Sequence, residues 1–493
     1  MKLPSATTAA SGSVLIIVLW VSFGLVATAL YFADSMSMEL KAADNQVASM
    51  EAEQAIEGAA LYVSNILANR ANMMMIPSPV NFRADAVKVG DAKFWLVGRD
   101  TNDSQTVLQG DDPVWGLIDE ASKVNLNTAS ADMLLNLPQM TPNLAAAMAD
   151  WATTSTTPSA GGAKSETYSA QAPPYLCKNA PYETIDELRL VYGMNMDLLY
   201  GEDANLNGVL DPNENDGMAL PPYDNQNGIL DPGVLEYVTT WTHESTMSTN
   251  GSPRISVTDV SALQTFLQDN YPNLVQYLAA FGGGSTGGGP GSGGRGGTGG
   301  AGGAGAAGGA GGAGGAGGAG GAGGSGRSGT GAAAAPTSVL DFYVRSGMSE
   351  SDFQQIEPFL MNSATNGLIN INTATTTALS CIPGIGINLA PQVLAYRQSN
   401  PPLTPSITWI KTALGTSDTT VLDEVGTNIT AYSWQFTADV VAVGHHNRGY
   451  RRVRFVFDCS SGTPLIVYRQ DLTHLGWALG KKLHDQLLAN NSK

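Results

Sequence analysis

Asp203, Asn205, Asn207, Gly208, Asp211 and Glu214 stand in the order D-x-N-x-N-G-x-x-D-x-x-E within DANLNGVLDPNE. Oxygen side chains at alternate positions can face one ion, the glycine permits the sharp turn, and the closing glutamate can bind through both oxygens. The spacing predicts calcium held by Asp203, Asn205, Asn207, the Val209 carbonyl, Asp211 (directly or through water) and Glu214. A partial echo, DNQNGILDPGVLE, starts at Asp224 and repeats the Asn-Gly, the apolar pair and the Asp-Pro. Asp224 is one residue out of register there, so the second loop must close differently, with Asp224, Asn227, Asp231 and Glu236 as its expected ligands. Asp216 is a further oxygen donor nearby. The competing reading is a pair of Asn-Gly turns carrying solvated acids. Neither loop contains cysteine or a histidine pair, so a hard cation fits better than zinc.

Other chemistry is sparse. The sequence has no GxSxG between a strand and a helix (Gly283 to Gly287 fits the letters but belongs to the glycine tract), no Walker loop, no HExxH and no GxGxxG after a strand, so no enzyme class is indicated. Cys177, Cys381 and Cys459 are widely spaced and read as buried free thiols, with one disulfide as the alternative in an oxidising compartment. His445 and His446 precede the turn-like Asn447-Arg448-Gly449 and are expected at a hairpin tip rather than in a metal site. CIPGIG, Cys381 to Gly386, lies between two helical stretches and resembles a helix-hairpin-helix motif. DNA-binding versions hold a phosphate with hairpin amides and nearby basic residues, but Arg397 is the only basic residue close behind this one. With 25 Lys and Arg against 43 Asp and Glu, net charge −18, the chain repels phosphate. A structural or protein-contact use is therefore expected, and no nucleic acid.

The elements that position these residues begin with a long helix. Val14 to Ala33 is almost wholly apolar, and about 20 such residues at ~1.5 Å each span a hydrocarbon core of ~30 Å. The helical pattern continues to about Arg70. Ala43, Val47, Met50, Gln54 and Ala55, then Ala59, Tyr62 and Ile66, mark the face expected against a core. A cleaved secretory signal, a plain membrane anchor and a pilin-like assembly helix compete for this start. Pilin-like leaders end in glycine just before the apolar helix, where Gly12 and Ser13 stand.

Two short strands are expected in AVKVGDAKFWLVGRD and extended pieces in TVLQGDDPVWGLIDEASKVNLN. PYETIDELRLVYGMNMDLLYG reads as one helix capped by Thr184 and Glu187. TSVLDFYVRSGMSESDFQQIEPFLM also reads as helical. KVNLNTASADMLLNLPQMTPNLAAAMADW and GLININTATTTALSCIPGIGINLAPQVLAYRQ share one skeleton: Asn, apolar, Asn-Thr-Ala, helix, turn, helix. Between them the Gly-Gly-Ala tract has too little apolar surface to offset its ordering entropy and reads as a flexible linker. Strands return at the end, where Val453, Phe455 and Phe457 alternate with Arg452 and Arg454, the pattern of a sheet wet on one face.

The fold class is α+β, with one antiparallel sheet packed on the long helix and a helical block inserted between its strands. The divisions are 1–12 leader, 13–33 membrane span, 34–70 amphipathic helix, 71–120 first strands and 121–430 inserted helical domain. That domain holds the loops over 203–236 and the linker over 282–336. Returning strands occupy 431–472 and a tail 473–493.

Together the leader and apolar helix, the two NxNTA units, the NG(V/I)LDP loops and the ADVVAVG…RRVRFVFD…LIVYRQDL segment resemble the minor pseudopilin K family of type II secretion systems (GspK). The resemblance covers most of the chain apart from the glycine tract. It implies a pilin-like fold with an inserted α-helical domain containing two helix-hairpin-helix or SAM-like units, and calcium in the soluble domain. It also implies an inner-membrane protein with its bulk in the periplasm, at the tip of the pseudopilus with minor pseudopilins I and J. Prepilin peptidase would cut between Gly12 and Ser13, and the new amine would be methylated. Most pilins carry glutamate at the fifth residue after the cut; Ile17 stands there, and the K family lacks that glutamate. A membrane-anchored DNA-binding protein of the competence type and a calcium-binding surface protein are the alternatives.

Overall fold

The computed structural model describes residues 11–68, 74–100, 113–219, 221–248, 250–282, 334–401 and 404–491. The leader up to residue 10 and residues 283–333 of the glycine tract lie outside these. One unbroken helix runs from Ser11 to Ala68 and takes in Gly12 and Ser13. Its N-terminal part is exposed and is long and apolar enough to cross a membrane.

From Ala48 onward the helix packs on the sheet through Ala48, Ala52, Ala55, Ile56, Ala59, Ala60, Val63 and Leu67. This corrects the expected face. Ala55 and Ala59 are on it, but Ala43, Val47, Met50 and Gln54 point outward, and Tyr62 and Ile66 are half-buried. The seam selects small residues because backbone meets backbone. A Cβ at Gly444 would lie 2.1 Å from the Ala48 carbonyl oxygen, and one at Gly449 would lie 2.3 Å from the Ala48 carbonyl carbon.

Strands β1 (Val87–Val89), β2 (Ala92–Val97) and β3 (Ile118–Asp119) precede the insertion. Within it lie three short parallel pairs, β4 (Val124–Asn125) with β5 (Val238–Thr239), β6 (Ile255–Ser256) with β7 (Leu360–Met361), and β8 (Ile369–Asn370) with β9 (Ile429–Thr430). After it come β10 (Gln435–Val443), β11 (Arg451–Asp458) and β12 (Leu465–Asp471). The main sheet is antiparallel in the order β1-β2-β10-β11-β12, with β3 beside the start of β10. Thus β10, from the far end of the chain, lies between β2 and β11, as an excursion between strands requires.

The central strands β2, β10 and β11 are covered on both faces rather than wet on one, while the edge strand β12 is largely exposed. Phe94, Leu96, Val440, Val453, Phe455 and Phe457 meet the long helix. On the other side Trp95, Val97, Val441 and Val443 meet Ala478, Leu479 and Leu487 around the C-terminal helix Gly480–Asn491. Arg452 is fully buried and ion-paired at 2.7 Å with Asp439, also fully buried. Alternation of Arg with apolar residues reads as solvent exposure unless a buried acid partner is known, and Asp439, opposite Arg454, is the diagonal cross-strand neighbour of Arg452, two positions away in register and on the same face.

The two NxNTA units are structural repeats. Asn125 accepts from the Asn127 backbone N–H at 2.8 Å, and Asn370 from that of Asn372 at 2.9 Å. Ser130 and Thr375 then cap the helices that follow. Asn370 reaches the main sheet by donating to Asp119, which also accepts from the Thr373 and Ser433 hydroxyls. Burial pushes the Asp119 carboxyl up to about 6 despite those donors. Two expected helices are broken at glycines of positive φ. The 181–201 stretch becomes a 3-10 turn Ile185–Leu190 and a short helix Met196–Tyr200 on either side of Gly193. Gly347 likewise separates Val339–Ser346 from Glu350–Ile356. All three cysteines are buried and free.

Candidate calcium centre

The two acidic loops sit back to back. Glu202 N donates to the Asp231 carbonyl at 3.0 Å and Gly233 N to the Tyr200 carbonyl at 2.9 Å. The approach is close enough that a Cβ at Gly201 would stand 2.3 Å from the Asp231 carbonyl oxygen. Each loop turns through left-handed residues in the same order, Leu206 and Gly208 in the first and Gln226 and Gly228 in the second.

In the first loop all the expected side-chain ligands turn inward. Asp203 accepts from the Asn207 and Gly208 N–H groups, both at 2.9 Å. Asn205 and Asn207 both donate to one oxygen of Asp211, at 2.8 and 3.0 Å. Glu214 accepts from the Ala204 and Asp211 N–H groups at 3.0 Å each. Asp203, Asn207, Asp211 and Glu214 are all buried. Burial raises the pKa of all three carboxylates; Glu214, further opposed by the Asp203 charge, is pushed up to about 9. Arg99 draws Asp203 partly back down. Three crowded, desolvated carboxyl groups beside two Asn side-chain amides can supply the oxygen donors of a hard divalent cation, so the residues present fit calcium.

The second loop repeats this bonding with a different closing acid. Asn225 donates to Asp231 at 2.9 Å, as Asn205 does to Asp211, and Asn227 accepts from Ile229 N at 2.7 Å, as Asn207 does from Val209 N. The place of Glu214 is taken by Glu202, which accepts from Asn225 N at 3.3 Å and Asp231 N at 3.0 Å. Glu236, expected to close this loop, is instead ion-paired with Arg99 at 2.8 Å. Asp224 accepts from Gly217 N and Gln226 N, both at 2.7 Å, and braces the turn. Asn225, Asn227 and Asp231 are exposed, so the second loop is a wetter site than the first. No spacing rule points to Glu202: it precedes both loops and enters the second through the contact between them.

Arg452 and Arg99 were also not legible as site residues. Both donate to the Leu206 carbonyl, at 2.7 and 2.6 Å, and Arg452 also reaches the Asn205 carbonyl. Asn205 in turn donates to the Trp477 carbonyl at 3.1 Å. The first loop thus joins the insertion, the sheet and the C-terminal segment.

The second hairpin unit offers little to a phosphate. A Cβ at Gly384 would be 2.9 Å from the Val425 side chain, so the hairpin is packed inward. Arg397 is buried and donates to the Ile371 and Ala374 carbonyls at 2.9 and 2.7 Å. Ile17 lies exposed on the apolar part of the long helix.

Residues 118–200 match the family described as Type II secretion system (T2SS), protein K, and residues 365–405 match the helix-hairpin-helix motif. No curated protein matches. Among solved structures the chain is similar to one from the GspK-GspI-GspJ complex of the enterotoxigenic Escherichia coli type 2 secretion system. Identity is 10%, 86% of this chain and 96% of that chain are covered, and the TM-score is 0.40. The segment that matches the protein K family starts at β3, where the chain leaves the sheet, and contains the first NxNTA unit.

Proposed function

We propose that the chain is a minor pseudopilin that works by assembly rather than catalysis, placed at the tip of a periplasmic pseudopilus to support export of folded proteins. The observation that carries this is the protein K domain at 118–200, inserted in a sheet packed on a helix able to cross a membrane. On this reading the apolar helix holds the subunit in the inner membrane, with the head in the periplasm, before it packs with other subunits. Its partners are the I- and J-type minor pseudopilins, which accompany GspK in the solved complex. Prepilin peptidase would cut between Gly12 and Ser13, with methylation of the new amine. The hydrophobic Ile17 at the fifth position suits a subunit with nothing stacked above it.

Calcium is part of the proposal. Asp203, Asn205, Asn207, the Val209 carbonyl, Asp211 and Glu214 would hold one ion; Asn225, Asn227, Asp231 and Glu202 would form a weaker, more exposed second site. The ion would neutralise the crowded carboxyl groups and fix the first loop against Arg452.

Deleting the chain from its host and restoring it with an affinity tag tests the reading. Secretion should stop and return, and I- and J-type subunits should co-purify from detergent extracts. Undiminished secretion in the deletion strain would overturn it, and salt-sensitive DNA binding by the full chain would favour the competence-type alternative.

A further inference from the structure

The tip of the β10–β11 hairpin carries a second set of metal-binding groups, unlike the oxygen-only loops. Gly444 and Gly449 bring this tip into backbone contact with the long helix at Ala48. That contact sets His445 between two carboxylates of the helix. Its Nε2 is 2.9 Å from Asp44 Oδ1 and its Nδ1 is 2.7 Å from Glu51 Oε2. The His445 backbone N–H also donates to Glu51, at 2.9 Å. His446 adopts a left-handed conformation, φ 51°. Its ring stands edge-on to that of His445, with centroids 5.1 Å apart. One ligand atom from each of Asp44, His445 and His446 lies within 4.8 Å of the others.

We propose that Asp44, His445 and His446 bind a divalent transition-metal ion, with zinc the best fit. Two imidazole nitrogens are borderline donors and a carboxylate oxygen is a common third zinc ligand, and three protein ligands leave a fourth tetrahedral position for water. Glu51 completes the arrangement as a positioning residue. A metal-binding histidine usually gives its other ring N–H to a carboxylate, and Glu51 accepts that proton at Nδ1, which turns Nε2 toward the ion. Arg448 occupies the second oxygen of Asp44, so Asp44 serves as a one-oxygen ligand. Zinc on Nε2 would take the place of the His445 hydrogen bond to Asp44 and leave the one from Nδ1 to Glu51 intact. Asp44 lies 11 residues past Ala33, about 16 Å along the helix from the end of the apolar run. Zinc there would staple the head to the neck that emerges from the membrane.

The test uses the full chain in detergent, with calcium in excess so that the oxygen loops are filled. Titration with cobalt should give the visible absorption of a tetrahedral site with nitrogen ligands, at one equivalent, and zinc should displace it. His446→Ala, a change at an exposed position, should weaken binding at least about tenfold, and Glu51→Gln about 10- to 100-fold. His474→Ala, at a histidine outside this cluster, serves as the control and should leave binding unchanged. Absence of the cobalt spectrum at millimolar metal would overturn the proposal. So would a spectrum that survives His446→Ala in a variant of unchanged helical content. Neither outcome bears on the secretion reading.

Discussion

At the scale of single residues, the buried acids divide by what offsets their burial. Asp439 has Arg452 and Arg454 beside it; burial raises its pKa, but those charges more than reverse this and hold the carboxyl far below the usual range. Glu214 has no such partner among the described residues, and burial beside the Asp203 charge pushes its pKa up to about 9, which favours the neutral form. Glu214→Gln imitates that neutral form. The variant should melt near the wild type in chelator, yet lose most of the upward shift that calcium gives the wild type. Equal shifts in both proteins would remove Glu214 from the site. Glu357 shows the same physics away from the loops. It is buried, accepts from the Ser406 hydroxyl at 2.6 Å and Ile407 N at 2.8 Å, and burial pushes it up to about 7. A folded-state pKa above the unfolded value of 4.5 means stability that is full below pH 4.5 and lost as pH rises through about 7. Denaturation at several pH values should show that decline, worth up to about 3 kcal/mol from this one group. Glu357→Gln should flatten it; an unchanged slope would assign the pH dependence elsewhere.

At the scale of elements, close approach explains both what the sequence shows and what it hides. Helical period identifies the long helix, but hydrophobicity picks Val47 and Met50 for a face that the structure builds from alanines. The deciding residues, Gly444 and Gly449, are about 400 positions away. The first acidic loop is readable because its inward-turned side chains lie within one run of 12 residues. Glu202 and Arg452 are not, since tertiary contact alone brings them to loops in which they have no place by spacing. Gly193 and Gly347 were visible as residues but were outweighed by apolar periodicity on both sides; their positive φ breaks the helices there. Gly444→Ala is the direct test of the seam. Its Cβ would come within 2.1 Å of a backbone oxygen, which no side-chain rotation relieves. Stability should fall by about 1–3 kcal/mol, the usual cost of overpacking. Adding Ala48→Gly should not restore it, because the clash is with the Ala48 carbonyl; restoration would show that side-chain volume sets the seam.

At the scale of the whole molecule, the insertion is an excursion whose two ends return to one place: β3 leaves beside the start of β10, and Asp119 is held by Thr373 and Ser433 from its far side. The glycine tract is an excursion within that excursion. Its flanks already touch, since Phe281 stacks on Phe342 with centroids 5.4 Å apart and Arg345 lies over the Phe281 ring at 4.7 Å. Arg345 also donates to the Ala334 carbonyl at 2.7 Å. The chain on both sides is therefore fixed by contacts that do not pass through the tract. Replacing residues 283–333 by about six Gly and Ser residues should keep the fold and stabilise it by about 2 kcal/mol, from the logarithmic dependence of closure entropy on length. Chemical denaturation of the two proteins measures this. A shortened chain that unfolds more easily would mean the tract makes contacts of its own, and that the inserted domain is not closed by Phe281, Phe342 and Arg345 alone.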